Sequence, residues 1–101
     1  MFGKFGDMMN KLQEMKRKAD EIKQKLDKSI ITIEGAGGDI NITITGNREI
    51  KSINISASLQ HGNKEELEEQ LTVTLNKAII KANELNENEM KQVANGMLPG
   101  L

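Results

Sequence analysis

Cysteine, tryptophan and tyrosine are absent, and phenylalanine occurs twice in 101 residues. Without cysteine there is no disulfide framework and no thiolate metal site. A single histidine, His61, leaves almost no raw material for a histidine-based metal centre or a catalytic triad. Phe2 and Phe5, both near the N-terminus, give little to stack unpaired bases on. No apolar run reaches the roughly 18 residues of a membrane-spanning helix. The opening MFGKFGDMM lacks the apolar centre of a signal peptide. These absences point to a cytoplasmic, non-enzymatic protein with no metal, no cofactor, no small-molecule substrate and no membrane contact.

What is present is unevenly distributed. The length suits one domain, residues 1–101, and the net charge is only −1. Residues Met1 to Lys28, however, carry eight Lys/Arg against five Asp/Glu, whereas Gly62 to Leu101 carry four against seven. Positive charge gathers at the start of the chain and negative charge at its end.

The basic part reads as one helix. Met8, Leu12, Met15, Ala19, Ile22 and Leu26 recur at alternating steps of four and three, a heptad seam. No Pro or Gly interrupts it after Gly6, and Asp7 is placed to cap its start. Residues 1–6 and 95–101 read as irregular tails. Lys11, Lys16, Lys18, Lys23 and Lys25 flank the seam. Flanking positions of a self-paired coiled coil usually mix signs; here they are nearly all positive. As a bland alternative, such lysines shield an apolar seam with their stems while their heads stay wet.

After Lys28 the period changes to two. SIITIE, DINITIT and INISASL alternate, with isoleucines at 31, 33, 40, 42, 44, 53 and 55, and read as strands. Gly35 to Gly38 joins the first two, and Gly46-Asn47 begins the turn into the third, which gives an antiparallel meander. The glycines do not make a phosphate-binding loop, because a strand and not a helix follows them. Ile50 breaks the parity of Ile53 and Ile55; a bulge or an extended turn at Lys51 reconciles them. Asn63 then caps a second long helix, with Glu66 completing a capping-box pattern. Leu67, Leu71, Leu75, Ala78, Ala82 and Leu85 form its apolar stripe. That helix either continues to Val93 or breaks near Asn86.

The fold class that follows is α+β, in the order α-β-β-β-α: a three-stranded antiparallel meander flanked by two long helices. Helices of some 22 and 25–30 residues span about 33 and 40 Å, and strands of about seven residues span about 23 Å. Both apolar stripes therefore overhang the sheet, and each seam residue left in water forgoes about 1.5–3 kcal/mol of burial. An intertwined homodimer would cover the overhang and an open sheet edge.

MFGKFGDMMNKLQEMKRKADEIKQKL, GAGGDINITITGN leading to IKSINIS, and the closing GMLPG resemble the YbaB/EbfC family of bacterial nucleoid-associated proteins across essentially the whole chain. The resemblance implies a small α+β homodimer that binds double-stranded DNA with little sequence preference, resides in the nucleoid and contributes to its organisation and to gene expression. It also implies that basic helix residues make the contacts. By location these are Lys11, Lys16, Arg17, Lys18, Lys23 and Lys25. The Gly35-Ala36-Gly37 turn and the Gly96–Gly100 tail match family positions that look structural. Family members commonly carry a bulky apolar residue and a Lys in the second strand; this chain has Asp39, Asn41 and Thr43, which weakens any DNA surface on the sheet. A dimer would present roughly ten or more cations, enough for sequence-independent binding to six to ten phosphates or so. The alternative is a dimeric helical protein-interaction module that does not bind DNA.

Overall fold

The computed structural model describes the backbone of residues 2–97 and the side chains of residues 6–94. Its elements are α1 (Phe2–Lys28), β1 (Ile30–Gly35), a 3-10 turn (Ala36–Gly38), β2 (Ile40–Thr45), β3 (Ile50–Ile55), α2 (Ala57–Gln60) and α3 (Lys64–Met97). The sheet order is β1-β2-β3, all antiparallel. This is the expected α+β meander between two long helices, with one short helix added.

Register follows from the isoleucines. Ile31 pairs with Ile44, and Ile33 with Ile42; Ile42 and Ile40 pair in turn with Ile53 and Ile55. Cross-strand partners share a face, so these residues form one apolar surface. Between β2 and β3, Thr43 faces Ser52 but Ile44 faces Ile50, which leaves Lys51 as the extra residue of a bulge. The bulge turns Ile50 back onto the isoleucine face, as its parity required.

The helix α3 crosses β1 and β2. Ala78 and Ala82 are fully buried there with Ile40, Ile42 and Ile44. Small side chains on the helix bring it close to the sheet. At Gly35 the approach is closer still: a Cβ there would lie 1.9 Å from Thr74 Oγ1. The turn after it holds Ala36, Gly37 and Gly38 at positive φ, the left-handed region that glycine adopts without strain. The β3 half of the apolar face has no such cover, and Ile50 and Ile53 remain 41% exposed.

Four expectations about boundaries are corrected. First, α1 starts at Phe2, so residues 2–6 are not an irregular tail and Asp7 lies within the helix, not at its cap. Gly3 and Gly6 weaken helix by only about 1 kcal/mol each, and Phe5 stands three residues before Met8, which extends the apolar period backwards. Second, β3 stops at Ile55. Ser56 Oγ accepts the Leu59 amide and starts the single turn α2, which buries Leu59 under the end of the sheet. Third, of the two ends left open for α3, a break near Asn86 or continuation to Val93, continuation is the one found, and it passes Val93 to reach Met97. Fourth, α3 runs through residues 95–97 to Met97, so these do not belong to an irregular tail; the expectation for residues 98–101 lies outside the described residues. The cap at Asn63 is as expected: its Oδ1 accepts the Glu65 and Glu66 amides at 2.8 and 3.3 Å.

The long elements make the molecule a rod, 71 × 22 × 16 Å. No helix among the described residues is long and apolar enough to cross a membrane.

Candidate nucleic-acid interface

The basic helix α1 is anchored at one end only. Leu26 is 1% exposed, and Ile22 and Ala19 are half-buried, but Met15, Leu12 and Met8 are 42%, 59% and 64% exposed. The predicted seam is therefore a core contact at Leu26 that becomes a bare stripe towards the N-terminus. The reason is geometric. The end of α3 runs antiparallel over the inner half of α1, with Glu89 at Lys25 and with Gln92 and Val93 beside Lys18 and Ile22. At about 1.5 Å per residue, α3 ends opposite α1 near Met15. The outer turns of α1 extend past it.

A polar clasp fixes the inner end. Gly46 N donates to the carbonyls of Leu26 and Ser29 at 3.1 and 3.0 Å, satisfying the helix terminus. Asn47 Nδ2 donates to Lys23 O at 2.9 Å and to Asp27 Oδ1. From α3, Asn86 Nδ2 donates to Gly46 O at 3.1 Å, and Asn83 Oδ1 accepts from Arg48 Nε. One turn thus ties α1, the sheet and α3 together. A Cβ on Gly46 would sit 2.6 Å from Leu26 Cδ2. Sequence reasoning missed this clasp. Its signal was Asn83 and Asn86 inside a helix, where Asn is a poor former.

The predicted cations separate into two groups. Arg17 lies between Glu14 and Glu21, at 4.0 and 3.7 Å, and Lys18 reaches Glu14 at 3.6 Å. These are exposed pairs worth about 0.2–1 kcal/mol each, but the carboxylates cancel the local positive field. Lys25 Nζ donates to both oxygens of the half-buried Glu89, at 3.0 and 3.1 Å. Lys11, Lys16 and Lys23 have no ion-pair partner among the described residues, and neither has Lys28, which the sequence reading left out. Lys23 lines a groove of about 280 Å³ with Asn47, Asn86 and Met90; Lys18 borders one of about 270 Å³ on the opposite side of α3. The cations thus follow both sides of the seam.

The fold is thus a three-stranded α+β body from which a lysine-flanked helix projects past the core. Residues 1–97 match the model of the YbaB/EbfC DNA-binding family, and the chain belongs to that family. It is 45% identical over 94 residues to a nucleoid-associated protein of Flavobacterium johnsoniae, covering 93% of this chain and 88% of that one. A nucleoid-associated protein of Hahella chejuensis is 34% identical over 95 residues, covering 94% and 88%. One from Ruminiclostridium cellulolyticum is 32% identical over 102 residues, covering 98% and 89%. A crystal structure of an uncharacterized protein from Helicobacter pylori superposes with a TM-score of 0.66 at 26% identity, covering 86% of this chain and 98% of that one.

Proposed function

We propose that the chain is a homodimer that binds double-stranded DNA without sequence preference, through the phosphate backbone, and acts in the nucleoid. The observation that carries this reading is the outer half of α1: an unsupported helix with Lys11 and Lys16 on it and Lys23 at its base, none neutralised among the described residues. Family membership and the nucleoid-associated relatives supply the polyanion. Base reading has no support in the residues available: Arg17, the one arginine on α1, is held between carboxylates.

Pairing of two chains follows from the surface left bare. Ile50 and Ile53 on β3 and Ile79 on the adjoining flank of α3 are each 41% exposed, and β3 is an open edge. A two-fold partner seated there covers all three and the edge together. Two α1 rods on one particle then bring six uncommitted lysines, from Lys11, Lys16 and Lys23 of each copy, to bear on one duplex.

The test compares two triple variants on unrelated duplexes at low salt. K11Q/K16Q/K23Q weakens binding uniformly across sequences. R17Q/K18Q/K25Q weakens it less, since those cations are already engaged. Equal loss in both, or none in the first, contradicts the assignment. Light scattering at micromolar concentration reads the dimer, and a monomer there contradicts the pairing.

A further inference from the structure

Residues 98–101, Leu-Pro-Gly-Leu, follow the end of α3 and bear no charged side chain. Pro99 has no amide hydrogen to continue a helix, and it biases Leu98 towards extended backbone. Two leucines and a proline in four residues gain from apolar cover. The direction of α3 brings them to an apolar surface that lacks cover of its own.

Met8, Leu12 and Met15 continue the stripe that Ala19, Ile22 and Leu26 begin, and they are the part of it left exposed. The end of α3 runs along that stripe. Ala19, Lys23 and Leu26 line the groove on one side of it with Met90; Lys18, Glu21 and Ile22 line the groove on the other with Gln92 and Val93. Chain that leaves α3 in the same direction passes over Met15, Leu12 and Met8 in turn. The lengths agree. Glu89 stands at Lys25, so Met97, eight residues further on, comes level with α1 between Met15 and Ala19. Four residues of extended backbone then span about 12 Å, the length of about eight residues of helix. That carries Leu101 to the level of Met8.

Charge selects the same occupant. Lys11 and Lys16 flank the stripe on its two sides, and neither has an ion-pair partner among the described residues. The outer α1 of a second copy laid there would set like charges against each other. An uncharged segment meets no such repulsion and leaves both ammonium groups in water. It also supplies the packing that a helix needs beyond its intrinsic propensity.

We propose that residues 98–101 dock on the Met8-Leu12-Met15 stripe of their own chain, as an apolar strap that prolongs α3 and holds the outer turns of α1 with their lysines free. The contact lies within one chain and requires neither the dimer nor DNA.

Fluorescence and amide exchange on the full chain test it. The chain has no Trp or Tyr, so L98W carries the only indole. Its emission is expected to be blue-shifted and poorly quenched by acrylamide. L12K, at an exposed position, should move that emission to the value of an indole in water and raise quenching severalfold. V73K, on an exposed part of α3, should change neither. Without any indole, L98S/L101S should speed amide exchange over residues 8–15 roughly tenfold or more, the scale set by uncovering one leucine side chain. Exchange over residues 19–26 should not change. Because the chain lacks cysteine, L12C/L98C treated with a short bismaleimide identifies the molecule that supplies the strap, and a product of monomer mass is expected. The proposal is overturned by L98W emission typical of water, by emission indifferent to L12K, by unchanged exchange in L98S/L101S, or by a cross-linked product of dimer mass alone.

Discussion

Gly35 is the position where the smallest change should disturb the fold most. A methyl group added there would lie 1.9 Å from Thr74 Oγ1 and 2.8 Å from Thr74 Cβ. Thr74 is almost fully buried, and its hydroxyl already donates to Gln70 O at 2.7 Å. It has no free rotation by which to withdraw. One and two turns further on, Ala78 and Ala82 are fully buried with the isoleucines, so α3 must lift from the sheet to make room. Overpacking of this kind costs about 1–3 kcal/mol, and G35A belongs at the upper end. For a domain of this size each kcal/mol lowers Tm by about 4–8 °C. Urea unfolding at fixed protein concentration measures it, with the midpoint falling and the slope unchanged. T74A removes Thr74 Oγ1 and Cγ2 and leaves only Cβ, 2.8 Å from the added methyl, so the double variant G35A/T74A should recover part of the loss, about 1 kcal/mol relative to the sum of the single changes. A G35A protein within about 0.5 kcal/mol of wild type, or strictly additive singles, would refute the close approach of β1 and α3.

Two further substitutions probe other joints. G46A drives a Cβ against Leu26 at the clasp and should destabilise by about 1–3 kcal/mol, read by the same unfolding assay. N63A removes the cap at the start of α3 and should cost about 1 kcal/mol; helix content by circular dichroism should hold in the native baseline while the midpoint falls.

The parts of this structure legible in the sequence are those ruled by local periodicity. Alternating isoleucines gave the strands and their faces, and the misplaced parity of Ile50 called for a bulge or a turn extending to Lys51, of which the structure has the bulge. Asn63 before a run of glutamates marked the start of α3. Failures came where a local pattern had two meanings. Ala57 and Leu59 keep strand parity, yet the Ser56 hydroxyl turns them into a helix. Asn86 left open whether α3 breaks or continues; the helix continues, and Asn86 ties it to the Gly46 carbonyl 40 residues away. For the candidate site, the seam and its cations were visible, but not which of them are spent. Glu14 and Glu21 stand at helix-pair spacing from Arg17, a signal that was there to be used. Lys25 and Glu89 are 64 residues apart, and only the antiparallel crossing of α1 and α3 brings them together.

The central claim is that uncommitted lysines on two α1 rods grip the phosphate backbone, and the salt dependence of duplex binding tests it most directly. With six such lysines on a dimer, the slope of log K against log salt should be about −5, and steeper by about 2 if Lys28 of each copy joins. Unrelated sequences should give the same slope. A slope near zero, or binding that appears for one sequence and not for another at the same salt, would contradict the account.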